Sequence, residues 1–256
     1  MNGIQFLLDE RAHRMGEQKW VEVDYDKSPH CLWSGRTGSG KTVAAKLLIA
    51  RTILLAPPEL QPVEVTVLDP KNDEDFSFLD GLPRVYRGED AVQGWADIFE
   101  SFKQRQCGYD NTRNLKLCFC DEFASLVSLI EDKKEREAAQ RYLTLLLMLS
   151  RSFRFSIQLA TQQPSAKIFG SGASGSREQF GVIAQLADGG SETREMLFDR
   201  DSRKKMEEYG TIGERGAGWV SINGGIAQPV IVPYVADMNK LNAVIYDSMA
   251  NPQTLN

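Results

Sequence analysis

Short apolar runs alternate with longer amphipathic segments along most of this 256-residue chain. Continuous apolar runs bounded by turn residues are typical of buried strands, whereas longer segments with helical spacing are typical of helices that cover a sheet. The pattern predicts strands at Trp20–Val23, His30–Trp33, Val63–Leu68, Leu115–Cys120, Phe155–Ala160, Gly181–Leu186, Gly218–Ile222 and Ile226–Val232.

Helices are predicted between these strands, at Lys41–Leu55, Asp90–Gln106, Phe123–Glu131, Glu135–Phe153, Ser191–Phe198 and Asp201–Tyr209. Such alternation predicts an α/β fold whose central sheet is mainly parallel and carries helices on both faces. The turn Asn223-Gly224-Gly225 predicts a C-terminal β-hairpin. We expect a single domain over residues 1–256, with residues 1–19 as a lead-in and residues 236–256 as a tail.

One segment between a predicted strand and a predicted helix matches the complete pattern G-x-x-x-x-G-K-[ST]: Gly35-Arg36-Thr37-Gly38-Ser39-Gly40-Lys41-Thr42. In this pattern, glycines let backbone N–H groups converge on phosphate oxygens at the positive end of a helix. Lys41 is expected to neutralise the β- and γ-phosphates, and Thr42 is expected to ligate Mg²⁺. The strand–loop–helix setting disfavours a chance glycine-rich turn. The chain is therefore predicted to bind a nucleoside triphosphate, and ATP with Mg²⁺ in particular.

A pair of acidic residues, Asp121 and Glu122, follows the apolar strand Leu115–Cys120. An acid at the carboxyl end of such a strand can reach the magnesium shell, and a second acid can polarise the attacking water. The two acids would equally suit the start of the next helix as caps. Because the phosphate loop is present, we favour catalysis, with Asp121 as the metal ligand and Glu122 as the base.

The polar residue Gln162 lies just after the strand Phe155–Ala160, where it would end beside the phosphates. Phosphoryl transfer needs a positioned water and compensation of the γ-phosphate charge. Gln162 is therefore a candidate sensor of the γ-phosphate, although a capping or surface role fits its spacing nearly as well.

Composition limits the possible partners and location. The net charge is −5, so the chain is not a generally basic nucleic-acid binder, and a polyanion would have to be held at specific places. No apolar run reaches the roughly 18 residues of a membrane helix, and no secretory signal is visible. The four cysteines show no metal-ligand spacing and are expected to be reduced thiols in the cytoplasm.

Further short motifs accompany the phosphate loop in chain order: Ser28-Pro29-His30, Asp69-Pro70-Lys71, Asp121-Glu122-Phe123-Ala124, Ala160-Thr161-Gln162-Gln163-Pro164-Ser165, Arg177-Glu178-Gln179-Phe180-Gly181, Ser191-Glu192-Thr193-Arg194 and Gly216-Ala217-Gly218-Trp219-Val220. Together they resemble the motifs of FtsK/SpoIIIE DNA translocases. The FtsK-like coupling ATPases of conjugative plasmids and integrative elements are most similar in character. Several ordered motifs are far more specific than any one of them.

The resemblance implies a RecA-like P-loop motor domain that assembles as a homo-hexameric ring, hydrolyses ATP between subunits and moves double-stranded DNA through a central channel. It also implies that Lys41 and Thr42 hold phosphate and Mg²⁺, that Asp121 supports the metal, that Glu122 activates water and that Gln162 senses the γ-phosphate. An arginine from a neighbouring subunit is expected to reach the phosphate.

The chain departs from the family pattern at its arginines. The family usually has an arginine in the strand that corresponds to Gly181–Leu186, and this strand has none. Arg177, just upstream, is our first candidate for the arginine that acts in trans. Arg194 is the second candidate, and it matches a position that tends to face DNA in the family.

The hairpin region Ser221–Gln228 also lacks basic residues, although this region tends to contact DNA in the family. The cluster Arg203, Lys204 and Lys205 could compensate, so these residues and Arg194 are the candidate DNA contacts. A solvated helix face that mixes these cations with neighbouring acids is an equally good interpretation of the cluster.

The sequence shows no membrane span of its own and no separate DNA-reading module. We therefore expect a motor fragment, or a compact mobile-element protein that relies on a membrane or relaxase partner. Two other functions remain open. Type VII secretion ATPases share these motifs and move proteins, and a weakly hydrolysing, nucleotide-gated scaffold would need neither a DNA contact nor a strand arginine.

Overall fold

A ten-stranded sheet runs through the part of the chain that the computed structural model describes, which is residues 3–162, 164–165, 169, 179–187, 189–210, 212 and 215–251. Its strands are β1 (Ile4–Asp9), β2 (Trp20–Val23), β3 (Cys31–Ser34), β4 (Glu64–Asp69), β5 (Val85–Arg87), β6 (Lys116–Cys120), β7 (Phe155–Thr161), β8 (Val182–Leu186), β9 (Ala217–Ile222) and β10 (Gln228–Ile231). The spatial order is β2-β1-β10-β9-β8-β3-β7-β6-β4-β5.

The helices lie on both faces of this sheet. They are α1 (Glu10–Arg14), α2 (Lys41–Leu55), α3 (Asp90–Gln106), α4 (Phe123–Leu129), α5 (Lys133–Leu149), α6 (Gly190–Leu197), α7 (Arg200–Tyr209) and α8 (Met238–Ala250). Short 3₁₀ turns occur at Pro58–Leu60, Glu74–Leu79 and Arg151–Phe153.

The predicted fold class is confirmed. From β8 through β3, β7, β6 and β4 to β5, every neighbouring pair of strands is parallel, whereas β9, β10, β1 and β2 extend the sheet with antiparallel pairs. The predicted C-terminal hairpin is present as β9 and β10, which pair from Val220 opposite Gln228. In a parallel sheet all carboxyl ends meet at one edge, and the crevice outside that edge is where such folds bind ligands.

Two hydrophobic cores form because successive residues of a strand point to opposite faces. In β3, Trp33 belongs to the core beneath α2 and α8, whereas its neighbour Leu32 belongs to the core beneath α3, α4 and α5. In β4, Val67 and Leu68 divide in the same way. Strands buried on both faces are continuous apolar runs, which is why the central strands were predictable from sequence.

The bounds of β2, α2 and α3 match their predictions, and the other predicted elements differ mainly at their ends. One long helix, predicted at Glu135–Phe153, is instead α5 followed by a 3₁₀ turn that starts after Ser150. Four of the strands and α-helices in the described part of the chain were not predicted: β1, α1, β5 and α8. The lead-in therefore contains a strand that pairs with both β2 and β10, and the tail contains a helix that covers the first core.

Candidate active site

The phosphate loop lies between the end of β3 and the start of α2. Gly35 has φ of +148°, and a Cβ atom there would lie 2.4 Å from the carbonyl oxygen of Leu186 at the end of β8. A side chain is therefore excluded at this glycine by both conformation and space. Gly40 occupies the N-cap of α2 in the left-handed region, so the first N–H groups of the helix lie at the loop. This arrangement is a ready-made site for an anion.

Lys41 is buried, and its ammonium lies across its own loop. Nζ donates to the carbonyl oxygens of Gly35 at 2.7 Å and Arg36 at 3.1 Å. Burial lowers the pKa of Lys41, while the negative charges of Glu122 and Asp121 act in the opposite direction. The predicted phosphate-binding lysine therefore lies in the electrostatic field of both predicted acids.

The other predicted loop residues differ in exposure. Thr37 and Gly38 are exposed at the tip, Ser39 is buried and Thr42 is half-buried at the start of α2. Their roles in holding phosphate and Mg²⁺ stay predictions.

Asp121 follows β6 directly and is buried at the carboxyl edge of the sheet. Burial raises the pKa of Asp121 to about 6, with Lys71 and Lys41 opposing this rise. Asp69 and Asp73 place carboxylate oxygens with that of Asp121 so that all three lie within 4.8 Å of one another. Three hard oxygen donors at this spacing suit Mg²⁺.

Asp69 was missed as a site residue, although the motif Asp69-Pro70-Lys71 and its strand-end position could have indicated it. The side chain is fully buried at the end of β4, next to β6 in the sheet. Its Oδ2 accepts a hydrogen bond from Arg87 Nε at 3.0 Å, whereas the buried Oδ1 has no hydrogen-bond partner among the described residues. Burial raises the pKa of Asp69, and the hydrogen bond from Arg87 opposes this. Oδ1 is thus left as a possible ligand atom of the acid cluster.

Glu122 occupies the N-cap position of α4, but its side chain does not cap that helix. Oε1 accepts a hydrogen bond from Thr161 Oγ1 at 3.0 Å, and the backbone N–H of Gln162 lies 3.2 Å from Oε1 and 3.1 Å from Oε2. Lys71 Nζ lies 3.6 Å from Oε2. The carboxylate of Glu122 is therefore bound by groups from the ends of β7 and β4, and not by the helix that it precedes.

Gln162 is exposed, and its contact with Glu122 is made by the backbone N–H. Its side chain lies along a groove beside Glu122 that is also lined by Lys71, Ser125 and Leu129. Sensing of the γ-phosphate by this amide stays a prediction.

The predicted arginine candidates are only partly described. Arg177 lies outside the described residues, and Arg194 is half-buried in α6. Of the basic cluster on α7, Arg203 Nη1 pairs with Glu195 Oε1 at 2.9 Å, and Lys204 Nζ lies 3.9 Å from Glu208 Oε1. Acidic neighbours thus offset two positive charges of this cluster, those of Arg203 and Lys204. A DNA-binding role for Arg194, Arg203, Lys204 and Lys205 stays a prediction.

This fold and this edge of the sheet define a P-loop ATPase. The model of the FtsK/SpoIIIE family matches residues 9–101, which contain the phosphate loop. Over these residues the chain is similar to the FtsK/SpoIIIE family, which its motifs resemble. No helix within the described ranges is long and apolar enough to cross a membrane.

Relatives of known sequence carry the same family name. The FtsK domain-containing protein YdcQ of Bacillus subtilis is 29% identical over 233 residues, which is 85% of this chain and 45% of YdcQ. The DNA translocase FtsK of Staphylococcus aureus is 25% identical over 178 residues, which is 58% of this chain and 22% of that protein. The chain thus spans less than half the length of either relative.

Solved structures share the fold. The pCW3 conjugation coupling protein TcpA, determined with ATPγS, has a TM-score of 0.68 at 18% identity, with 95% of this chain and 70% of TcpA covered. The cytoplasmic domain of the type VII secretion ATPase EccC of Thermomonospora curvata has a TM-score of 0.67 at 17% identity, with 96% and 30% covered. At these identities the likeness establishes the fold alone.

Proposed function

We propose that the chain is an ATP-driven translocase motor for double-stranded DNA and serves as a coupling or transfer ATPase of a mobile element. The observation that carries the proposal is the alignment of 85% of the chain with an FtsK domain-containing protein, with DNA translocases among the further relatives. The juxtaposition of the phosphate loop with Asp121 and Glu122 supplies the chemistry that such a motor needs.

Each residue at the edge of the sheet has a role in this proposal. The glycines of the loop, Thr37 and Ser39 cradle the phosphates of ATP, and Lys41 exchanges its two loop carbonyls for phosphate oxygens. Thr42 and Asp121 hold Mg²⁺, and the carboxylates of Asp69 and Asp73 complete the acidic surroundings. When bound, Mg²⁺ compensates the charge that develops on the phosphates.

Glu122 is the general base in this proposal. A base must lie within hydrogen-bond reach of the water whose proton it takes, and its carboxylate must have a free lone pair. Glu122 keeps such capacity, because a carboxylate offers about four acceptor sites. Thr161 and the bridging N–H of Gln162 take two sites on Oε1 and one on Oε2, while Lys71 Nζ, at 3.6 Å from Oε2, makes an ion pair and no hydrogen bond. Gln162, at the rim of the same groove, is assigned to the γ-phosphate.

The motor would work as a homo-hexamer in the cytoplasm, with a membrane or relaxase protein as its recruiting partner. An arginine from the adjacent subunit would complete the site, with Arg177 as first and Arg194 as second candidate. DNA would contact Arg194 and the cluster of Arg203, Lys204 and Lys205.

Movement of a protein cargo is the second candidate function, and specific observations favour it. The type VII secretion ATPase matches the fold as well as the conjugation protein does, with TM-scores of 0.67 and 0.68. In addition, the hairpin lacks basic residues, and Arg203 and Lys204 are already paired with acids.

The test is the ATP hydrolysis rate of the purified protein with and without long linear duplex DNA at two salt concentrations. A DNA motor is expected to be stimulated by DNA, and the stimulation should fall as salt rises because binding releases counterions. Hydrolysis that ignores DNA but responds to a substrate peptide would favour a protein cargo. Weak hydrolysis that ignores both would instead indicate a nucleotide-gated scaffold.

A further inference from the structure

The carboxylate of Glu122 is held from two sides. On one side, Thr161 Oγ1 and the backbone N–H of Gln162 donate to it at 3.0 to 3.2 Å. On the other side, Lys71 Nζ lies 3.6 Å from Oε2. Thr161 is buried, with 1% of its surface exposed, whereas the side chain of Lys71 is 33% exposed at the rim of the groove.

The order of the sheet explains this arrangement. Strand β6 lies between β7 and β4, and all three run parallel. Thr161 is the last residue of β7, and Lys71 comes two residues after the end of β4. Both neighbours of β6 therefore end beside Glu122, the second residue after β6. Two positions that are 90 residues apart in sequence (161 − 71) thus bracket one carboxylate.

The backbone of Glu122 has a strained conformation. Its φ of 70° and ψ of 74° lie in the left-handed region. A non-glycine residue in this region costs on the order of 1–2 kcal/mol, and such strain persists where surrounding contacts over-determine the conformation. The contacts with Thr161, Gln162 and Lys71 are of this kind, because helix capping does not involve this side chain.

We propose that Lys71 and Thr161 are positioning residues that hold the carboxylate of Glu122 in its catalytic orientation. The proposal rests on the role of Glu122 as the base in the proposed function. Lys71 fixes Oε2 after β4, Thr161 fixes Oε1 at the end of β7, and one acceptor site of Oε2 is left for the water. Lys71 also lies near Asp121, on which its charge acts more strongly than that of Lys41.

The proposal makes a kinetic prediction that separates positioning from binding. Lys71→Ala and Thr161→Val are each expected to lower kcat for basal ATP hydrolysis roughly 10- to 100-fold, because misplacing a catalytic group by about 1 Å can cost about 10²-fold. The KM for ATP should stay unchanged, since neither side chain belongs to the phosphate loop. The conservative variants Lys71→Arg and Thr161→Ser keep the donors and should recover most of kcat.

A double-mutant cycle tests whether Lys71 acts through Glu122. In the Glu122→Gln background, Lys71→Ala is expected to have little further effect, because residues that act as a unit are non-additive. A lysine needed only for folding would lower the rate by the same factor in both backgrounds. Lys133→Ala is the matched control, since Lys133 pairs with Glu137 on the exposed surface of α5.

The experiment measures kcat and KM of the full chain without DNA for the wild type, the six single variants and the double variant. A wild-type or raised kcat for Lys71→Ala, or an additive cycle, would overturn the proposal. Other measurements test the proposed function itself. If Glu122 is not the base, the Glu122→Gln variant hydrolyses ATP at the wild-type rate. If DNA is not the cargo, the addition of DNA does not stimulate hydrolysis.

Discussion

Arg87 and Asp69 are cross-strand neighbours at the carboxyl ends of β5 and β4, and Arg87 Nε donates to Asp69 Oδ2 at 3.0 Å. The same guanidinium also donates to Asp80 Oδ1 at 2.6 Å and to the carbonyl oxygen of Asp73. Arg87 therefore supplies the positive charge that allows a fully buried aspartate to lie beside two further acids.

Removal of this arginine should be costly. Arg87→Ala leaves Asp69 as an unpaired buried acid, so we expect the free energy of unfolding at neutral pH to fall by about 3–5 kcal/mol. Urea denaturation measures the change. If the cost is the unpaired charge, adding Asp69→Asn should recover much of it, and a double variant as unstable as Arg87→Ala would contradict this account.

Lys41→Ala is expected to remove detectable ATP binding. The ammonium makes two hydrogen bonds within the loop, and charge-assisted bonds of this kind to phosphate are worth about 1.5–3 kcal/mol each, so affinity should fall roughly 100-fold or more. Equilibrium binding of a fluorescent ATP analogue is the measurement. An unchanged melting temperature without nucleotide would show that the fold is intact, and retained affinity would refute the assignment.

Glu122→Gln should separate binding from chemistry. The amide keeps the shape of the side chain and an oxygen that accepts from Thr161, but it cannot take a proton from water. We expect ATP to bind and to remain unhydrolysed, with a rate lowered about 10²- to 10⁴-fold. Rapid-quench analysis of the bound nucleotide should find ATP rather than ADP. Hydrolysis at the wild-type rate would mean that another group is the base.

Asp121→Asn is expected to stabilise the protein while inactivating it. Burial raises the pKa of Asp121 from 3.8 to about 6. Between pH 3.8 and pH 6 the carboxyl is therefore protonated in the folded state and ionised in the unfolded state. This contribution to stability is therefore present below about pH 4 and is lost as the pH rises through 6. The variant should exceed the wild type by about 1–3 kcal/mol at pH 8, and by less than half of that near pH 4.5.

Urea denaturation in magnesium-free buffer at the two pH values tests this prediction. A gain that is the same at both would show that ionisation of Asp121 is not its source. Residues that lower the stability of the folded state are expected at functional sites, where activity and stability trade against each other.

Arg177→Ala is expected to abolish hydrolysis without weakening ATP binding, because an arginine supplied by a neighbour acts on the transition state and is worth about 10³- to 10⁵-fold. Mixing the variant with wild-type subunits should lower activity more steeply than dilution does. Arg194→Ala is the comparison, and if it alone gives this phenotype, the arginine that acts in trans is Arg194.

The elements that sequence alone predicted well are those whose pattern is local. Strand β7 is buried at every position and has apolar residues at every second position from Phe155 to Leu159, and the bounds of α2 and α3 coincide with clear starts and stops. In contrast, β5 is only three residues long and half-buried throughout, so it leaves no periodic signal. The strand Ile4–Asp9 pairs with the nearby β2 and also with β10, which lies more than 200 residues away in sequence, and this second pairing is what places it inside the sheet.

The same distinction applies to the site. The phosphate loop and the acids Asp121 and Glu122 were recognisable because each motif is contiguous. The contacts of Lys71 and Thr161 with Glu122 depend on β6 lying between β4 and β7, and nothing local in the sequence specifies that order. Similarly, the contact of Gln162 with Glu122 uses a backbone N–H, which residue identity does not reveal.

The phosphate loop is contiguous in sequence, but a residue far along the chain supports it. Gly216, just before β9, donates its N–H to the carbonyl oxygen of Ser39 at 3.1 Å, and its own carbonyl oxygen accepts from Val232 N–H at 2.8 Å. A Cβ atom at Gly40 would come within 3.4 Å of the Gly216 Cα, so the two glycines meet backbone to backbone. A peptide of β3, the loop and α2 would therefore lack one wall of its own binding site. Truncation of the chain before Gly216 should therefore weaken nucleotide binding, although it leaves the phosphate-loop motif intact.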